Sequence, residues 1–225
     1  MTKLSLKKTR ILKFFIDATA ALIQEEGIEG ITIRKIAERS GYNSATIYNY
    51  FENLDHLIFL AALHFIKPYA TNVSSYAQKG RTALEKNILI WEYFCIHSFS
   101  NPELYNAIFF AKLSNPLDDY IADYYALYPE ELVRAELNVS KMLNKQNIYE
   151  RAHIILEPCV EEGFLDEASL DPLNEMILFV YKGILLQVLN KELDEPLEAT
   201  VARALNYIKI CYNGFLKKGK LDVVE

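Results

Sequence analysis

Gly41 is the residue that most constrains this chain. It stands between two short stretches of helical periodicity, Thr32-Ile-Arg-Lys-Ile-Ala-Glu-Arg-Ser40 and Ser44-Ala-Thr-Ile-Tyr48. Glycine adopts the left-handed conformation that ends a helix without steric cost, and Asn43, two residues on, is a good cap for the next one. Ile47 and Phe51 lie four apart and turn inward towards Ile36 and Ala37. The pattern therefore reads as a helix-turn-helix, and the second helix points Ser44, Ala45, Tyr48 and Asn49 away from the core. A face that is small and polar first, then aromatic and amide-bearing, suits entry into a major groove. Asn49 has the donor and acceptor to pair with an adenine edge, and Thr46 fits a thymine methyl or a phosphate. The hydroxyls of Tyr48 and Tyr50 suit phosphate oxygens, as does Thr32 at the start of the preceding helix, with Asn43 at the groove-facing end of the second.

The rest of the chain repeats helical spacing without strand-like alternation. Ile11, Phe14, Phe15, Ala18 and Leu22 make one stripe, and Leu54, Leu57, Ile58, Ala61 and Phe65 another. Asn101-Pro102, Asn115-Pro116 and Asp171-Pro172 each put a cap before a proline whose missing N–H costs nothing at the first helical position. The expected fold is all-α. A three-helix head at residues 1–52, carrying the helix-turn-helix, is expected ahead of a larger helical body at 53–225. Pro68 and Pro158 are expected to kink or break their helices, and one long helix is expected over residues 130–162.

Residues 8–57 resemble the DNA-binding head of the TetR family of bacterial regulators. The match rests on an ordered set: an amphipathic first helix ending at Gly27, Gly30-Ile-Thr32 leading into Ile36-Ala37, then Gly41, Thr46-Ile-Tyr-Asn-Tyr-Phe51 and Leu57. Three positions depart from the family pattern. Tyr42 replaces a small aliphatic residue, Asn43 replaces serine, and Leu54 stands where many members carry a phosphate-reaching lysine. The resemblance implies a homodimeric, ligand-responsive repressor of a palindromic operator. It also implies an effector site in the middle of the helical body, and pairing of the last two long helices across a two-fold axis.

The residues of the body fit that reading. Positions 91–128 hold 11 of the 28 aromatics, and rings with hydroxyl tips suit an apolar or aromatic small molecule. Trp91, Phe94, Phe99, Tyr105, Phe109, Tyr120, Tyr124 and Tyr125 are the candidate ligand contacts. Met176 to Leu189 is apolar almost all round, and Leu197, Val201, Leu205, Ile208, Tyr212 and Phe215 add a second stripe. These place the homodimer contact within residues 171–218.

The net charge of −6 is uneven: residues 1–60 carry eight bases and seven acids, and five bases precede the first acid, Asp17. Such an arm fits either phosphate contact or a solvated terminus. Three scattered cysteines without metal-ligand spacing suit a reducing cytoplasm. Lys13 and Asp17 interrupt any signal-peptide core, and Leu57 to Ile66 is too short to span a bilayer. No phosphate-cradling glycine loop or nucleophile motif is present, so no catalytic residue, cofactor or metal is expected. The residues leave two other readings. One is a Mg²⁺-dependent enzyme acting on an isoprenoid diphosphate through Asp118, Asp119 and Asp123, whose spacing is off by one. The other is an interaction protein of the same fold that has lost operator binding.

Overall fold

A computed structural model of the chain describes residues 6–110, 123–129, 141–143, 145 and 147–223. Among these there is no strand. Leu6–Glu26 forms α1, Ile33–Ser40 α2, Ser44–Tyr48 α3, Leu54–Ala77 α4, Ala83–Ser100 α5 and Pro102–Phe110 α6. Ile148–Glu161 forms α7, and a 3₁₀ turn at Glu167–Ser169 leads into α8, Leu170–Leu189, and then α9, Leu197–Asn213. Short helical stretches also occur at 123–127 and 141–143. Two compact units result: one takes the described residues up to Lys67 and those between Glu103 and Pro129, the other Pro68–Pro102 and residues from 141 onward.

In the first unit, α1 to α3 close around Phe15, Ile16, Ile36, Ile47 and Phe51, all buried. In the second, α5 packs on α7 and α9, and α8 packs on α7 and α9. Its centre is polar at one point. Asn87 Nδ2 donates to the Ile155 carbonyl at 2.7 Å, and Asn87 Oδ1 accepts from the Tyr212 hydroxyl, tying three helices together. A buried amide satisfied on both sides fixes register in a way that apolar packing does not.

The caps explain most helix starts. Thr82 and Glu85 form a reciprocal capping box on α5. Asn147 Oδ1 accepts from the Glu150 backbone N–H at 2.7 Å and starts α7. That cap corrects the single helix expected over 130–162: non-helical Lys145 and Asn147 separate the stretch at 141–143 from α7, because Asn147 with Glu150 three residues on makes a better beginning than a middle. Residues 130–140 lie outside the described ones, as does Asn115-Pro116. α8 begins at Leu170, ahead of Asp171-Pro172, because the 3₁₀ turn feeds directly into it.

Neither proline breaks its helix, since α4 runs through Pro68 and α7 through Pro158. Proline removes one donor, and buried neighbours on either side of Pro68, including Ile66, Tyr69, Ala70 and Val73, hold α4 regardless. Pro158 stands in the last turn of α7, with three helical residues after it.

Candidate DNA-binding face and effector cavity

The turn between α2 and α3 is built from side chains three residues apart. Thr32 caps α2 by accepting from the Lys35 N–H at 3.2 Å. Gly41 closes the helix at φ 67°, where any side chain would be strained, and its N–H and that of Tyr42 reach back to Glu38 and Ala37. Asn43 Oδ1 accepts from both the N–H and the hydroxyl of Thr46, at 2.8 and 2.9 Å. Ile47 is fully buried beneath α3.

With that side fixed, the other faces outward. Ala45 and Asn49 are exposed, Ser44 and Thr46 half-buried, and Tyr48 is 57% exposed. Tyr50 is half-buried and its ring leans on Phe15. Thr32 and Asn43 are exposed but spend side-chain acceptors on their caps, so their first role is to hold α2 and α3 in place. Tyr42, the departure in the turn, lays its ring against Phe14 and Phe15 with centroids 6.0 and 5.2 Å away. The larger side chain thus fastens the turn to α1.

The electrostatics are less generous than the count of bases implies. Each base of α2 is paired within the head: Arg34 with Glu38 at 2.9 Å, Lys35 with Glu26 at 2.5 Å, and Arg39 with Glu25 through two bonds of 2.6 and 2.7 Å. The Arg39 bonds hold the Glu25 carboxyl below its ordinary range. Leu54, in place of a cation, is half-buried at the start of α4. Exposed positive charge on α1 comes from Lys7, Lys8 and Arg10.

Seven of the eight aromatic candidates divide between the two units. Tyr105, Phe109, Tyr124 and Tyr125 belong to the first, where Tyr124 bonds His64 Nδ1 at 3.0 Å and Tyr125 stacks edge-on against Tyr124. Trp91, Phe94 and Phe99 belong to the second, and Phe99 stacks on the buried Tyr181. Tyr120 lies outside the described residues, as do Asp118 and Asp119, while Asp123 is exposed.

Within the second unit, Trp91 and Phe94 line an apolar cavity of about 30 Å³ with Tyr69, Ile90, Ile148 and Ile155. Arg151 joins them. It is 8% exposed, and donates from Nε to the Lys145 carbonyl at 2.6 Å and from Nη2 to the Leu143 carbonyl at 3.4 Å. Burial pushes the Tyr69 hydroxyl well above its ordinary pKa, and the Arg151 charge works against that rise. The aromatic count could not reveal Tyr69 and Arg151, which stand outside the dense window. The signal was in α7, where Ile148, Ala152 and Ile155 form a stripe and Arg151 occupies the one stripe position that should be apolar. His97 is half-buried against the Tyr69 and Tyr93 rings, and His153 faces Glu157 and Asp171 at 3.9 and 3.4 Å. Among the described residues no three His, Cys, Asp or Glu side chains gather closely enough to hold a metal.

Residues 15–60 match the model of the bacterial regulatory proteins of the tetR family. No curated protein sequence matches the chain. Among solved structures, the chain is similar to Thermus thermophilus FadR, a tetR-family transcriptional repressor in complex with lauroyl-CoA. They share 15% identity, with 95% of this chain and 100% of that one covered at a TM-score of 0.57. It is also similar to RolR in complex with resorcinol, at 18% identity, 88% and 87% coverage and a TM-score of 0.57. Bacillus subtilis FadR in complex with stearoyl-CoA shares 19% identity over 87% and 96% of the two chains, with a TM-score of 0.52. At these identities the shared property is the fold.

Proposed function

We infer, from a head that belongs to the tetR family of bacterial regulatory proteins and a body of the same fold, that this chain is a ligand-responsive transcriptional regulator. It acts as a cytoplasmic repressor, a binding protein without catalytic activity, that holds a palindromic operator as a homodimer. One observation carries the reading: α3 is anchored by the buried Ile47 and offers Ser44, Ala45, Tyr48 and Asn49 outward from a capped, glycine-closed turn. Packing alone gives no reason for an exposed Tyr48 beside Asn49. In functional terms residues 1–52 form the DNA-binding domain and 53–225 the ligand-binding and dimerisation domain.

The dimer contact falls on α8 and α9. Within Glu167–Leu189 an 18-residue stretch reaches a mean hydropathy of 1.3, yet only a third of that stretch is buried in its own chain. Met176, Phe179 and Leu186 are exposed on α8, as are Tyr207 and Ile210 on α9, with Phe179 at 67%. Gly183, exposed between Phe179 and Leu186, would meet nothing in its own chain if it carried a Cβ. Glycine inside a helix costs about 1 kcal/mol relative to alanine, and a second helix approaching closely gives it a use. Lys182 and Glu175 beside the stripe argue for a protein partner over lipid.

A small apolar or aromatic effector in the body switches the regulator. Of the aromatic candidates, Trp91 and Phe94 stand at the cavity; Phe99, Tyr105, Phe109, Tyr120, Tyr124 and Tyr125 stay proposed effector contacts on the aromatic density of the sequence. The cavity has room for a water or two, so an effector enters only by parting the rings. One of these, Tyr69, is on α4, the helix that follows the recognition helix in the chain. An effector that binds the opened form more tightly shifts α4 and lowers operator affinity.

The test is titration of the protein into labelled DNA from upstream of its own gene, beside a scrambled duplex, over a range of salt. Preference for the first duplex, two subunits per site and a steep salt slope are expected. Equal weak binding to both would favour an interaction protein instead. In sedimentation, Phe179→Asp is expected to yield monomers that lose operator binding.

A further inference from the structure

α8 closes on a strained residue. Lys191 follows the cap residue Asn190 and stands at φ 57°, the only residue other than glycine with a positive φ among the described ones. Helices commonly close there on glycine, because a Cβ crowds the backbone in the left-handed conformation. Strain of this kind gathers where a side chain has a ligand to hold.

Lys191 lines a cleft of about 230 Å³, several times the space beside Trp91. It opens where the ends of α5 and α8 meet the start of α9, all within the second unit. Phe99 and Thr200 line it from the core, and Val188, Leu193 and Leu197 are half-buried around it. Glu195 completes the lining. Its Oε1 takes both Nε and Nη2 of Arg203, at 3.0 and 2.7 Å, so that Oε2 accepts no hydrogen bond among the described residues. The Lys191 ammonium has no acidic partner among them either.

The cleft therefore offers one cation, one spare carboxylate oxygen and an apolar wall. A simple organic anion gains little here, because residues 191–198 carry four acids, Glu192, Asp194, Glu195 and Glu198, against the one base. A simple organic cation meets Lys191 and Arg203. A molecule that carries both charges beside an apolar body answers all three features, through two charge-assisted hydrogen bonds and the area it covers.

We propose that this cleft binds an apolar α-amino acid as the free zwitterion. Its carboxylate is held by Lys191, its ammonium by Glu195 Oε2, and its side chain lies against Phe99, Leu193 and Leu197. The site is separate from the cavity beside Trp91 and does not depend on that cavity being the effector site.

The probes are L-leucine, L-leucinamide and 4-methylpentanoate, which share a skeleton and carry both charges, the ammonium alone or the carboxylate alone. Calorimetry slightly below neutral pH is expected to show L-leucine binding at least about tenfold more tightly than either partner compound. Lys191→Gly suits the backbone at φ 57° and is expected to fold as the parent does, while its affinity for L-leucine falls to that for L-leucinamide. Glu195→Gln is expected to bring L-leucine down to the level of 4-methylpentanoate. Equal binding of the three compounds overturns the zwitterion assignment, as does a Lys191→Gly variant that keeps the full affinity for L-leucine. If L-leucine releases no heat and leaves the melting temperature unmoved, the cleft is no amino-acid site, and the operator and effector readings stand as before.

Discussion

In the head, Thr32 accepts from Lys35 and Asn43 accepts from Thr46, each three residues on; in the body, Asn87 reaches Ile155 and Tyr212, 68 and 125 residues away. The helix-turn-helix is specified by short polar devices around Gly41, and its working surface is the face those devices leave outside. The body is specified by distant partners, and its working surface is the inside. A locally specified element keeps one geometry whatever happens elsewhere, which suits a surface that must fit DNA. A core of interlocked rings can be repacked, which suits a site that must respond.

The sharpest way to break this contrast is Ile47→Ala. Ile47 is fully buried under α3, so its truncation should cost about 2–5 kcal/mol and abolish operator binding. Calorimetric binding of an effector in the body should persist. Loss of both would show that the two regions are not specified separately. Asn49→Ala comes next, because it removes a proposed base contact from an exposed side chain. Operator affinity should fall by about 1–3 kcal/mol while the melting temperature stays put, and an unchanged dissociation constant would remove Asn49 from the interface.

Thr82→Ala, which deletes the capping box of α5, should cost the body about 1 kcal/mol and leave operator affinity as it was, as read by urea melts beside anisotropy. The smallest effect concerns His56, whose Nδ1 accepts from the Glu52 N–H between α3 and α4. Burial holds its pKa below the ordinary value of 6.5, partly opposed by Glu52 and Asp123. The folded head therefore binds fewer protons than the unfolded one, and its stability should decline as pH falls through 6.5. His56→Gln should flatten that decline in a pH series of thermal melts.

What could be read from the sequence follows the same division. α1 and α2 have the bounds that periodicity and caps predict, and Gly41, Asn43, Ile47 and Phe51 do the work assigned to them, because each acts on residues within a turn or two. The cavity was not legible in that way. Aromatic density located Trp91 and Phe94, but Tyr69 and Arg151 come to the same place only when α4 and α7 pack against α5. That the helix continues at Pro68 was hidden for a related reason: helix propensity is local, and the burial that overrides it there is not.

If the cavity of about 30 Å³ is the effector site, as proposed, it also sets a clock. An effector that must wait for Trp91, Phe94 and Tyr69 to separate associates more slowly than the 10⁵–10⁷ M⁻¹s⁻¹ roughly typical of unhindered docking. It then departs slowly, because the rings close behind it. A brief pulse of effector passes before the body opens, and a sustained supply does not. On the proposed reading, the tightness of the resting core filters the signal in time, so that the regulated genes answer to persistence as well as to concentration.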